Sequence, residues 1–183
     1  GVSGGGYATI SAFMKSVHKI RKFSAWASIT DLVSWYSESI IRNNNYAVNI
    51  LACTGSYGNS LNFESARNRS PVYWETPAEK LKNSELKIYT GINDGITGSV
   101  PITHSINFYN KILTDLEVKD PEKFVTDGEK FTLLERRKPL GDLGKISDRT
   151  IFLLKEYKNT KLVIFDGGHE MLPEFALKEL LDN

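Results

Sequence analysis

Three residues in this sequence have types and positions suited to nucleophilic catalysis: Ser3, Asp94 and His169. Ser3 lies in residues 1–5, G-V-S-G-G, which match G-x-S-x-G, the pattern of a sharp turn between a strand and a helix. Such a turn strains the serine backbone, and glycines two residues on either side avoid collisions with the turn and the neighbouring strand. The motif predicts a serine nucleophile. The alternative is a glycine-rich helix entry that binds phosphate or nothing.

The residues that follow Ser3 supply part of the surroundings that a serine nucleophile needs. Three consecutive glycines at 4–6 let the next helix approach closely. The start of a helix directs free N–H groups outward, here toward the serine. The backbone amide of Gly4 is therefore the candidate donor to a developing oxyanion.

The candidate base is His169, because the expected order along the chain is serine, acid, histidine. His18 comes too early, on the helix that follows the serine, and His104 falls one turn into a predicted helix, which favours a polar helix residue. His169 follows a predicted strand at 161–165, and ligands gather at the carboxyl ends of parallel strands. The alternative for His169 is a structural loop histidine.

The candidate acid is Asp94, which follows a predicted strand at 86–90 in the segment G-I-N-D-G. The alternative is a turn aspartate, which is common before glycine. Asp166 shares the loop of His169 and is the fallback acid. Asp31 follows another predicted strand and favours a helix cap instead.

Strands that alternate with helices predict an α/β fold with a mostly parallel sheet flanked by helices. The predicted strands are 23–28, 86–90 and 161–165, and the predicted helices are 4–20, 101–113, 151–157 and 171–181. A helix beginning near Leu32 and a short helical piece between 70 and 82 are expected, and 118–148 is expected to be a surface excursion. Three strands are few for this fold. We therefore interpret residues 1–183 as one domain. It corresponds to the C-terminal portion of a larger fold, without the N-terminal strands of that fold.

Composition narrows the class of function. The 183 residues correspond to about one domain, and 23 Lys plus Arg against 22 Asp plus Glu provide no basic excess for nucleic acid. The apolar runs are far shorter than the ~20 residues of a membrane helix. Three histidines and the single Cys53 disfavour a zinc site and an internal disulfide. The cellular compartment is left open, and a secreted or periplasmic location is compatible with this sequence.

Taken in order, the motifs resemble the catalytic domain of the prolyl oligopeptidase-like serine hydrolases, within the α/β-hydrolase superfamily. The resembling segments are G-V-S-G-G-G-Y-A at 1–8, S-P at 70–71, G-I-N-D at 91–94, V-P at 100–101 with Ser105, and G-G-H at 167–169. The resemblance implies Ser3 as nucleophile, Asp94 as acid and His169 as base. The sequence departs from the family at 95–99, where five residues precede V-P instead of the usual two, and in the long charged segment 118–148.

This resemblance implies cleavage of an ester or peptide amide bond through an acyl-enzyme, with no metal and no organic cofactor. A small-molecule ester or a peptide is the expected substrate. Four aromatic residues are candidates for lining its pocket, with core packing as the alternative: Trp26, Trp35, Tyr36 and Trp74.

A different class of function is also open. The altered loop after Asp94 motivates a non-catalytic binding or scaffolding domain that keeps the hydrolase shape. We expect little or no activity from the isolated 183 residues, because half the sheet and one oxyanion donor are expected to precede them. An exposed sheet edge favours self-association or binding to that N-terminal part.

Overall fold

The computed structural model describes residues 1–181, which form a five-stranded sheet in the order β1-β2-β5-β4-β3 with helices around it. The strands are β1 Lys22–Trp26, β2 Glu85–Gly91, β3 Lys145–Ile146, β4 Arg149–Tyr157 and β5 Thr160–Phe165. The helices are α1 Gly4–Lys15, α2 Leu32–Ile41, α3 Tyr46–Cys53, α4 Phe63–Asn68, α5 Ile102–Asp115, α6 Asp127–Phe131 and α7 Pro173–Leu181.

The three predicted strands are confirmed as β1, β2 and β5. They lie side by side and parallel, with Trp26 opposite Tyr89 and Gly91 opposite Phe165 at their carboxyl ends. Parallel strands bring these ends to one edge of the sheet. The loops that follow all three strands therefore share one rim.

The predicted helix at 151–157 is wrong, because this segment belongs to strand β4. A two-residue connection at 158–159 joins β4 to β5, and Tyr157 pairs with Thr160 as an antiparallel hairpin. Lys158 adopts a φ of 50°, which permits so tight a turn. The apolar run 151–154 fits either a short buried helix or a strand, and pairing with β5 decides the outcome.

The predicted helix at 4–20 ends earlier than expected, at Lys15. The ammonium of Lys80 donates hydrogen bonds to the carbonyl oxygens of Phe13 and Ser16, both at 2.6 Å, and so closes the helix. Val17, which lies within the predicted helix but after its observed end, is 92% exposed.

Side chains alternate between two apolar layers along the central strands. On one face Phe23, Ile88 and Ile164 pack against α1 and α5, and on the other Tyr89 and Val163 pack with residues of α7. This alternation follows the two-residue period of a strand. The sheet is therefore covered on both faces, in the α/β arrangement that was predicted.

Helices α2, α3 and α4 form a third apolar cluster, beyond the carboxyl ends of the strands. The carboxylate of Asp31 accepts hydrogen bonds from the N–H groups of Val33 and Ser34, which confirms the predicted helix cap. Val100, from the loop after β2, is buried in this cluster. The cluster thus supports the loop that carries Asp94.

The segment 118–148 is more than a surface excursion, since Val125 and Leu133 are buried in the main core. It contains α6 and β3. No helix among residues 1–181 is long and apolar enough to cross a membrane.

Candidate active site

The turn before α1 holds Ser3 in a strained conformation. Ser3 has φ 56° and ψ −119°, outside the regions that non-glycine residues usually adopt. Its amide donates a hydrogen bond to the carbonyl of Trp26 at 2.9 Å, and the amide of Gly5 donates to the carbonyl of Val2 at 2.8 Å. Such strain costs about 1–3 kcal/mol and is found where the surrounding structure enforces it.

Two of the glycines around Ser3 are required by space. A Cβ at Gly1 would lie 2.6 Å from the carbonyl oxygen of Gly5, and one at Gly6 would lie 2.5 Å from that of Trp26. Gly5 has open space around it, so the expectation that it too is sterically required is wrong. Gly6 lets α1 approach β1 closely. Gly4 begins α1, where its N–H has no partner within the helix.

The structure brings Asp94 and His169 together. Nδ1 of His169 lies 3.0 Å from Oδ1 and 2.9 Å from Oδ2 of Asp94. The carboxylate also accepts hydrogen bonds from the N–H groups of Gly95 and Val100. The Asp94 side chain is wholly buried, whereas that of His169 is 23% exposed. Because a carboxylate only accepts, Nδ1 is the donor in this contact, and a neutral ring then presents Nε2 as an acceptor.

The loop between Asp94 and Val100 lies against this pair. Gly98 has no room for a side chain, because a Cβ there would lie 2.6 Å from Cβ of His169 and would also meet Oδ1 of Asp94. The hydroxyl of Ser99 lies 3.5 Å from Nε2 of His169. The departure of this loop from the family pattern therefore places a serine other than Ser3 beside the imidazole.

Ser3 belongs to the same rim but is not bonded to the imidazole. Residues 1–3 pair with β1 on the side away from β2. At the usual strand spacing, the backbone of this segment therefore lies about 10 Å from that of β2. Across residues 1–181, no hydrogen bond joins Ser3 to His169. Catalytic hydrogen bonds are often long or poorly aligned before substrate binds.

The other candidate acid and bases lie elsewhere. Asp166 is exposed, and its backbone is bonded to Thr150 and Arg149 of β4. His18 is exposed after the end of α1. His104, expected to be an ordinary polar helix residue, is 3% exposed and hydrogen-bonded at both ring nitrogens.

The four aromatic candidates have different environments. Trp26 is fully buried and stacks on Tyr89 at 4.1 Å, so its assignment to a substrate pocket is wrong. The ring of Trp74 lies under the ammonium of Lys15 at 3.6 Å, and its indole N–H donates to the carbonyl oxygen of Asn68 at 3.0 Å; a substrate-binding role for Trp74 stays a prediction.

Trp35 and Tyr36 belong to the cluster above the rim. The indole N–H of Trp35 donates to the carbonyl oxygen of Ser99 at 3.0 Å, so Trp35 supports the loop next to His169. The hydroxyl of Tyr36 donates to Asn59 at 2.7 Å. Both side chains are almost wholly buried, and a substrate-binding role for them stays a prediction.

Reasoning from sequence missed two neighbours of His169, Ser99 at its imidazole and Glu170 in its loop. The carboxylate of Glu170 accepts a hydrogen bond from the N–H of Gly168 at 3.1 Å and so shapes the loop of His169. The five-residue interval after Asp94 was the available signal for Ser99. Within residues 1–181, no group of three or more acidic, histidine or cysteine side chains is placed to hold a metal ion.

No family model matches this chain, and no curated protein matches it. Among solved structures, the chain is similar to an acylaminoacyl peptidase in complex with Z-Gly-Gly-Phe-chloromethyl ketone, with a TM-score of 0.54 and 18% identity. The similarity covers 98% of this chain and 21% of that chain, so the sequence spans about a fifth of its neighbour's length. The similarity confirms the fold class: this is a partial α/β-hydrolase-like fold.

Proposed function

We propose that this chain carries the catalytic residues of a serine hydrolase, with Ser3 as nucleophile, His169 as base and Asp94 as the orienting acid. The observation that carries the proposal is the pair of His169 and Asp94, in which a buried carboxylate holds Nδ1 and leaves Nε2 at the rim. The strained backbone of Ser3 at the same rim supports it, because strain of this kind clusters at active sites.

The reaction is acyl transfer to water. Nε2 of His169 takes the hydroxyl proton as Oγ of Ser3 attacks the carbonyl carbon, and Asp94 stabilises the imidazolium that forms. The amide of Gly4 donates a hydrogen bond to the oxyanion. The imidazolium then protonates the leaving group. Water, deprotonated by the same nitrogen, cleaves the acyl-enzyme and restores Ser3.

The substrate is an ester or a peptide amide. The similar solved structure is that of a peptidase, which favours an amide, whereas the chain by itself is compatible with either. Hydrolysis rates of a nitrophenyl acetate and of a short peptide amide, compared on the intact protein that carries this sequence, separate the two.

A fluorophosphonate probe tests the proposal, since it forms a covalent bond with an activated serine. We expect one adduct in the intact protein, mapped by mass spectrometry to Ser3 and lost in Ser3→Ala. We also expect labelling to slow strongly in His169→Ala. A probe that fails to react, or that reacts at Ser99, contradicts the assignment.

A non-catalytic binding domain is the second candidate. Its supporting observation is that Ser99, and not Ser3, lies within 3.5 Å of Nε2 of His169. Ligand binding that is retained in Ser3→Ala, in a protein that folds and shows no turnover that depends on Ser3, would favour this second function.

A further inference from the structure

Both ring nitrogens of His169 face polar groups of the segment 94–99. Nδ1 contacts the carboxylate of Asp94, and Nε2 lies 3.5 Å from the hydroxyl of Ser99. His169, the proposed general base, therefore already has a polar neighbour at Nε2, the nitrogen that would accept the proton.

The backbone around Ser99 is held in place from several directions. The indole of Trp35 donates to the carbonyl of Ser99 at 3.0 Å, and the next residue, Val100, donates its N–H to Asp94 at 3.1 Å. On the other side, Gly98 packs so closely on His169 that no side chain fits. The backbone that carries the Ser99 side chain is therefore fixed next to the imidazole.

A hydroxyl suits this position because it is both a donor and an acceptor. It donates to Nε2 when the imidazole of His169 is neutral and accepts from Nε2–H when the imidazole is protonated. The ring can then be held at both nitrogens in both protonation states. In the acyl-enzyme Ser3 has no hydroxyl proton left, and Ser99 is the hydroxyl that remains beside Nε2.

We propose that Ser99 is a positioning residue for His169, which fixes the imidazole orientation through Nε2 while Asp94 fixes it through Nδ1. This inference rests on the proposed function, because it concerns the base of that reaction. The proposal also gives a role to the altered loop after Asp94, because residues 95–99 bring a hydroxyl to the imidazole. The altered loop is then not evidence for a non-catalytic domain.

Substitutions at Ser99 in the intact protein test the proposal kinetically. In Ser99→Ala we expect kcat to fall about 3- to 10-fold, the value of one hydrogen bond, with KM changed less than about 2-fold. Ser99→Thr keeps the hydroxyl and should restore most of kcat. Thr97→Ala is the matched control, because it removes a hydroxyl from an exposed residue of the same loop. A kcat that is unchanged or raised in Ser99→Ala overturns the proposal.

A second measurement is independent of turnover. The ¹⁵N resonance of Nε2 in neutral His169 should move downfield in Ser99→Ala, because a hydrogen bond to that nitrogen is lost, and should stay in place in Thr97→Ala. An unmoved resonance in Ser99→Ala overturns the Ser99 proposal even if the protein is an active hydrolase. A shifted resonance in a protein without turnover and without an adduct at Ser3 contradicts the proposed function alone.

Discussion

Two histidine–carboxylate pairs lie among residues 1–181, and their burial is opposite. In the pair His169–Asp94 the carboxylate is 0% exposed and the imidazole 23% exposed. In the pair His104–Glu38 the imidazole is 2% exposed and the carboxylate 29% exposed. The first pair exposes its imidazole, that of His169, whereas the second pair exposes its carboxylate, that of Glu38.

The ring nitrogens are also used differently. Nδ1 of His104 accepts hydrogen bonds from the backbone N–H groups of Thr30 and Asp31, at 3.2 and 3.4 Å, and Nε2 faces Glu38 at 3.3 Å. His104 therefore connects α5 to the start of α2 with both nitrogens engaged. A histidine beside a carboxylate is thus not by itself a sign of catalysis. The informative feature is the exposure of the imidazole, which is 23% for His169 and 2% for His104.

Removing the carboxylate charge from each pair gives the largest expected contrast. Asp94→Asn should lower kcat/KM about 10⁴-fold, because an amide no longer favours the tautomer with a proton on Nδ1. Glu38→Gln, the matched control, should change it less than about 3-fold, because Glu38 is not bonded to the reacting groups. Steady-state hydrolysis by the intact variants measures both. Equal losses in the two variants would contradict the distinction between the pairs.

A methyl group at Gly98 tests the geometry of the first pair. Gly98→Ala should lower kcat about 100-fold, because the new Cβ collides with His169 and a displacement of about 1 Å in a catalytic group has that effect. Gly128→Ala is the control, since a Cβ there meets nothing within 4 Å. Retained activity in Gly98→Ala would show that the imidazole is not held where the structure places it.

His104 should matter for stability and not for the chemical step. His104→Ala leaves the N–H groups of Thr30 and Asp31 without their acceptor, so the free energy of unfolding should fall by about 1–3 kcal/mol. Urea unfolding measures this loss, and kcat of the folded fraction should stay within about 2-fold of the unmodified protein. A large loss of kcat at full stability would place His104 in the active site.

Asp115 is a carboxylate paired with a lysine instead of a histidine. Partial burial raises its pKa, but hydrogen bonds from Lys111 and Thr76 outweigh that effect and hold the pKa of Asp115 below its ordinary value. Its contribution to stability is therefore present above the unfolded pKa of about 3.9 and is lost as the pH falls through the lower folded value.

Asp115→Asn should accordingly reduce the free energy of unfolding at pH 7 by less than about 1 kcal/mol, the range of exposed ion pairs. The difference from the unmodified protein should shrink in acid. Asp148→Asn, at a side chain that is 86% exposed, is the control in the same urea titrations. A deficit in Asp115→Asn that grows in acid would be inconsistent with this pairing.

The elements that could be predicted from sequence are those whose own residues are enough to identify them. Strands β1 and β5 are short bounded segments, β2 alternates and ends at Gly91, and Asp31 lies where a helix needs a cap. Strand β4 could not be predicted, because a four-residue apolar run does not distinguish strand from helix until its partner is known. The burial of Trp26 depends in the same way on stacking with Tyr89.

The candidate site follows the same rule. Asp94 and His169 follow strands that pair with each other, so a correct strand assignment brought them to one rim. The environment of Ser99 depends on Trp35 and Gly98 acting together, and the sequence shows these as unrelated residues. The members of the acid–histidine pair can be predicted from chain order, whereas the support around the pair requires the packing.

The convergence of Ser3 with His169 is the central claim, and a crystal structure of the intact protein tests it most directly. We expect Oγ of Ser3 within about 2.6–3.2 Å of Nε2 of His169, with Asp94 still on Nδ1. A structure in which Nε2 is bonded to Ser99 while Ser3 faces away, and stays so with a substrate analogue bound, would contradict it.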